Sequence, residues 1–121
     1  MIRPILATEN PYEAAQKFQS CGWHIDFQTP PGSKDPLAGV SIYGNELLLG
    51  TMEEKYVDKN ARPYIGAGVE IHILIPHQFI HEVYRNHLHL NPSELKKQSW
   101  SETGFKFTLL GYRFMFLAQQ E

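Results

Sequence analysis

The sequence holds a single cysteine, Cys21, among 121 residues. No internal disulfide can staple such a chain, and a reducing, cytoplasmic setting is expected. No apolar run approaches the ~18 residues that a membrane helix needs. The opening Met1-Ile2-Arg3-Pro4 leads to Glu9 and Asn10, not to the apolar stretch of a signal peptide. Charge of one sign is missing too: 11 Lys and Arg against 13 Asp and Glu give a formal charge of -2, and Lys96-Lys97 is the only adjacent basic pair. Nucleic acid and membrane surfaces are therefore not expected partners, because both call for a basic patch. A Gly-rich phosphate loop and a nucleophile elbow are likewise absent.

What remains is an ordinary globular composition, 42% hydrophobic and 20% charged, at a length suited to one domain. Residues 2–8 read as a strand that Pro4 pushes toward an edge or a strand start. Asn10 is a good helix N-cap, Pro11 suits the first turn and Glu13 can complete a capping box. Ala14, Ala15, Phe18 and Cys21 mark the helical face, and Gly22 ends it. A strand over 23–28, a loop over 29–36 and a hairpin of strands 37–43 and 46–49 follow, with its turn at Gly44-Asn45. After a polar connection, Val69 to Ile75 is the clearest strand. A helix from about His77 to Leu88 places Ile80, Val83, Tyr84 and Leu88 inward. A weak strand near 95–100 and strands over 105–109 and 112–118 complete the chain, with a turn at Gly111.

The order is β-α-β-β-β twice, with a first module over about 1–52, a linker over about 53–67 and a second module over about 68–121. Placing Pro4 over Glu70, an offset of 66, superimposes Ile5 on Ile71, Ala14 on Ile80 and Phe18 on Tyr84. Few residues are identical, so the repeat is one of topology.

Three segments carry a resemblance to a known family. The run RPILATENPYEAAQKFQSCGW looks like the opening of vicinal oxygen chelate domains. GVEIHILIPHQFIHEVY is similar to the start of the second half in bleomycin-resistance-like members, and GYRFMFLA resembles their closing strand. The chain departs from the common pattern just before that strand, where Leu109-Leu110-Gly111 replaces an acidic-Pro-acidic-Gly turn. The resemblance implies an α+β fold of two βαβββ modules whose sheets curl around a cavity, as in glyoxalases, bleomycin-resistance proteins and extradiol dioxygenases. In the family's enzymes a divalent metal in that cavity polarises substrate oxygens.

Carried onto this chain, the four ligand positions fall at Pro4, Leu48, Glu70 and Met115. Proline and leucine have no lone pairs to give, and a thioether suits hard divalent ions poorly. Glu70 alone could coordinate, so no metal and no cofactor are expected. Glu70 can then anchor a ligand, with Arg3, Arg62 or Arg113 as an internal partner, or it is a strand carboxylate satisfied by a neighbouring Arg or Tyr or facing water. His72, two residues on along the same strand, shares its face and is a weak candidate for a general base. His77 and His81 have metal-binding spacing but flank the wrong helical face, and His24, His87 and His89 read as surface or rim residues. Most aromatics read as core. Trp100, at the end of a polar strand, is the exception read as a pocket residue. Cys21 reads as a buried structural thiol.

The ligand-binding candidates are thus Glu70, His72, Trp100, Leu48, Met115 and Arg113. The function expected from them is metal-free binding of a small aromatic or cationic molecule by a homodimer. The alternative is an enzyme, either a lyase or dioxygenase with a displaced metal site or a metal-free isomerase using Glu70 and His72. A regulatory module sharing only the fold is a third reading.

Overall fold

Asn10 caps the first helix as its residue type predicts: its side-chain oxygen accepts from the backbone N–H of Tyr12 at 3.0 Å and of Glu13 at 3.3 Å. The computed structural model describes residues 2–119, without the side chain of Gln119. It divides into one unit ending at Ile65 and a second beginning at Gly66. No helix among the described residues is long and apolar enough to cross a membrane.

The first unit runs β1 (Ile5–Thr8), α1 (Pro11–Gln19), β2 (His24–Gln28), β3 (Ala38–Ile42) and β4 (Asn45–Thr51). Its sheet has the order β1-β4-β3-β2. The apolar face of α1 (Ala14, Ala15 and Phe18) is buried, and Trp23 meets Phe18 edge-on at a centroid distance of 4.9 Å. Pro4 lies just outside β1, where its carbonyl accepts from Leu48 N at 2.9 Å. A 3-10 turn over Lys59–Tyr64, started by Asp58, occupies part of the stretch that sequence alone leaves as linker.

The second unit runs β5 (Glu70–Pro76), a 3-10 turn over His77–Phe79, α2 (Ile80–Asn86), a second 3-10 turn over Leu88–Leu90, β6 (Lys96–Lys97), β7 (Thr103–Leu109) and β8 (Tyr112–Gln119). Its sheet order, β5-β8-β7-β6, repeats that of the first unit, with the first and last strands parallel in both. The alternation along β5 is the cause of its clarity in the sequence: Ile73 and Ile75 are buried, while Glu70, His72 and Leu74 are exposed. Phe114 and Phe116 of β8 share a face with Phe105 and Phe107 of β7. Phe107 stacks on Phe114 at 5.0 Å and Phe105 on Phe116 at 5.5 Å.

Several expectations are corrected. Leu88 was placed on the inner face of α2 by its spacing, yet it is 49% exposed, and His87 takes the buried position at 0%. The reason is that α2 gives way to a 3-10 turn at Leu88, which rotates that residue outward. His87 is thus no surface residue: its ring packs among Phe105, Phe107 and Phe116, and Nδ1 donates to Val83 O at 2.7 Å. The weak strand expected over 95–100 shrinks to Lys96–Lys97, because its polar residues bury nothing. Both hairpin turns centre one residue earlier than the glycine alone suggests. Tyr43-Gly44 (φ 46° and 83°) and Leu110-Gly111 (φ 55° and 83°) are the central pairs, each with two positive φ values.

Candidate functional site

Cross-strand partners in a sheet share a face, so the register of the second unit states which residues meet. Glu70 of β5 lies opposite Arg113 of β8, which lies opposite Thr108 of β7. His72 lies opposite Met115, which lies opposite Lys106. Polar groups from three adjacent strands therefore stand on the face turned away from the phenylalanine layer.

The side chains confirm the grouping. His72 Nε2 donates to Glu70 Oε1 at 2.8 Å, and Lys106 Nζ lies 3.8 Å from Glu70 Oε2. The hydrogen bond from His72 holds the Glu70 carboxyl below its ordinary range. Partial burial opposes this, and the charges of Lys106 and Arg113 assist it. Glu70 is thus ionised at neutral pH. The expectation that it stands open to a ligand's cation meets a different arrangement, in which the protein's own cations already surround it. Of the three arginines named as possible partners, Arg113 is its cross-strand neighbour, whereas Arg3 pairs with Glu46 at 3.8 Å. Lys106 is the partner that sequence reasoning missed. Alternation of Lys106 between Phe105 and Phe107 was the available signal, since it forces a charge onto the face opposite the aromatics.

A pocket of about 310 Å³ opens here, bordered by Glu70, Lys106, Thr108 and Arg113, by Leu90 and Asn91, and by Phe107 and Phe114 at their strand positions. Its volume lies at the lower end of small-molecule sites. The segment after α2 closes its rim. Asn91 turns the chain in the left-handed region (φ 54°), and Ser93 then clamps β7, donating from its backbone N to Lys106 O at 2.8 Å. Lys106 N donates in return to Ser93 Oγ at 2.8 Å. This exchange continues the ladder along β7 where β6 has ended.

The other sequence candidates do not border this pocket. Met115 is fully buried and does not border it, Leu48 is half-buried on β4 of the first unit, and Trp100 is exposed on the turn between β6 and β7. His77 and His81 are exposed, and Cys21 is buried, its thiol pushed up in pKa by that burial.

The residues do not fit the family's metal. Glu70 and His72 are the donors present, and they bond one another. The residue facing Glu70 on the closing strand is Arg113, a cation that would repel a metal held there. Among the described residues no group of three His, Cys, Asp or Glu side chains is placed to hold an ion.

No protein-family model and no curated protein matches the sequence. Solved structures do match over nearly the whole chain. A bleomycin-binding protein complexed with bleomycin is similar at a TM-score of 0.70 and 13% identity, over 99% of this chain and 98% of that one. The E126Q variant of the fosfomycin resistance protein FosX from Listeria monocytogenes, complexed with Mn(II) and 1S,2S-dihydroxypropylphosphonic acid, gives 0.69 and 10%, over 99% and 92%. A glyoxalase/bleomycin resistance protein/dioxygenase superfamily member from Sphaerobacter thermophilus DSM 20745 gives 0.68 and 11%, over 98% and 97%.

Proposed function

From the premise that this chain has the vicinal oxygen chelate fold, in its glyoxalase/bleomycin-resistance form, we propose that it binds a small organic molecule without a resident metal. The pocket on the β5-β8-β7 face carries this reading, because it gathers polar side chains from three strands around a recess of ligand size. The structural relative that holds bleomycin supports it. Aromatic and cationic compounds belong in the screen alongside neutral and anionic ones.

The test is ligand-observed NMR with a fragment library against the wild type and Thr108→Trp. Thr108 is exposed on β7, so an indole there fills the recess without entering the core. Fragments should bind the wild type and lose contact with the variant. If no fragment binds, or if binding ignores the substitution, the reading fails.

The 2.8 Å pairing of His72 with Glu70 favours a second reading, an isomerase or lyase that uses this pair to move a proton. It requires that a bound fragment be chemically converted during incubation and that His72→Gln stop the conversion. A homodimer belongs to the same proposal. Ile5 and Phe27, on the edge strands of the first unit, are exposed at 65% and 40%, and a symmetric partner would cover them. A monomer by light scattering at micromolar concentration removes that part.

A further inference from the structure

The charge around Glu70 does not balance. One carboxylate faces two permanent cations, Lys106 and Arg113, with His72 already donating to it. Lys106 approaches one carboxylate oxygen at 3.8 Å, too far for a hydrogen bond. Among the described residues Arg113 forms no ion pair within 4.0 Å, and the Thr108 hydroxyl and the side-chain amide of Asn91 form no hydrogen bond. All four side chains border the same pocket. The recess therefore offers a planar guanidinium fork, an ammonium, a hydroxyl and an amide, with one positive charge to spare. A guanidinium in such a setting matches the two oxygens of a carboxylate, phosphate or phosphonate.

We propose that this pocket selects an anionic ligand, its carboxylate, phosphate or phosphonate group seated between Arg113 and Lys106. This deepens the reading of the pocket as a small-molecule site and rests on it. Glu70 then offsets only one of the two positive charges, and it is not the ligand's anchor. The ligand's oxyanion takes the donors that Glu70 leaves over, with Thr108 and Asn91 completing its shell. A cation would have to displace Lys106 from Glu70, the only carboxylate among the described residues that border the pocket.

The experiment is a titration, followed by NMR shifts of the β7 and β8 amides, with five probes: benzoate, phenylphosphonate, inorganic phosphate, benzamide and benzylamine. Benzoate and phenylphosphonate should bind at least tenfold more tightly than benzamide, their neutral counterpart, and than benzylamine. Phosphate equal to phenylphosphonate assigns the site to a free oxyanion, and a stronger phenylphosphonate assigns it to an organic one; either supports the proposal. Arg113→Gln should weaken the anions about tenfold, and Lys106→Gln provides the same reading should the first variant fold poorly. Glu70→Gln should tighten the anions, because it removes a like charge.

Benzylamine binding best, or Glu70→Gln weakening the anions, overturns the proposal. So does the absence of anion binding at millimolar concentration. The binding reading itself is judged separately by the fragment screen with Thr108→Trp, so failure of the anion preference alone is distinguishable from failure of that reading.

Discussion

Lowering the pH should destabilise this protein through one residue, His87. The imidazole is fully buried against Phe105, Phe107 and Phe116. Burial pushes its pKa from 6.5 down to about 4; the bond to Val83 O acts the other way, and the nearby charge of His89 acts with burial. In the unfolded chain the ring takes a proton below about pH 6.5, whereas in the folded chain it refuses one until about pH 4. The stability conferred by neutral burial is therefore intact above pH 6.5, declines on acidification between those values and is gone below about 4. At about 1.4 kcal/mol per pH unit, the full loss is roughly 3 kcal/mol, and about 2 kcal/mol is lost by about pH 5. Urea unfolding at about pH 7 and about pH 5 should show this loss in the wild type. His87→Phe fits the aromatic layer and cannot titrate. It should start about 1 kcal/mol lower for want of the Val83 bond and then lose much less between the two pH values. Surface carboxylates titrate alike in both proteins and cancel in the comparison. Equal losses in wild type and variant would refute the assignment of the pH dependence to His87.

Leu110 holds a positive φ (55°) at the first centre of the β7–β8 turn, so Leu110→Asn should stabilise the protein by about 0.5–1 kcal/mol in the same urea assay. A Cβ on Gly104 would collide with the carbonyl oxygen of Phe116 on the neighbouring strand. Gly104→Ala should therefore cost about 2 kcal/mol or more of stability, read as a drop in Tm. Manganese, zinc or nickel at saturating concentration should leave Tm unchanged, since any ion bound specifically to the native state would raise it by mass action; a metal-dependent rise abolished by Glu70→Gln would refute the argument from the donor set.

The strands and the capped helix could be read from the sequence because one signal decided each of them. Glu70 to Ile73 alternates polar with apolar, and Asn10-Pro11 with Glu13 and the apolar face behind them start a helix. The face holding Glu70, His72 and Arg113 followed from the same alternation. His87 was misplaced although Ile80, Val83 and His87 follow the i, i+3, i+7 spacing of a buried helical face. A polar residue type outweighed its position, and a buried hydrogen bond to Val83 O made that position tolerable. The short β6 and the 3-10 turn at Lys59–Tyr64 had no periodicity to read. Lys106 was missed as a site residue because its part depends on pairing with β8, which no local pattern encodes.

On either side of the β7–β8 turn, neighbours in the chain lead separate lives. Lys106 and Arg113 meet solvent, while Phe107 and Phe114 stack beneath them within the core. Substitution at one set of positions therefore leaves the other set's packing untouched, so recognition can drift while the scaffold stands still. The same interleaving works against any slip of register. A shift of one residue would bury two cations and expose two rings, so the chain cannot misalign these strands and remain folded. A lineage carrying this sheet could exchange one ligand for another, charge by charge, with foldability as the quantity that selection never had to risk.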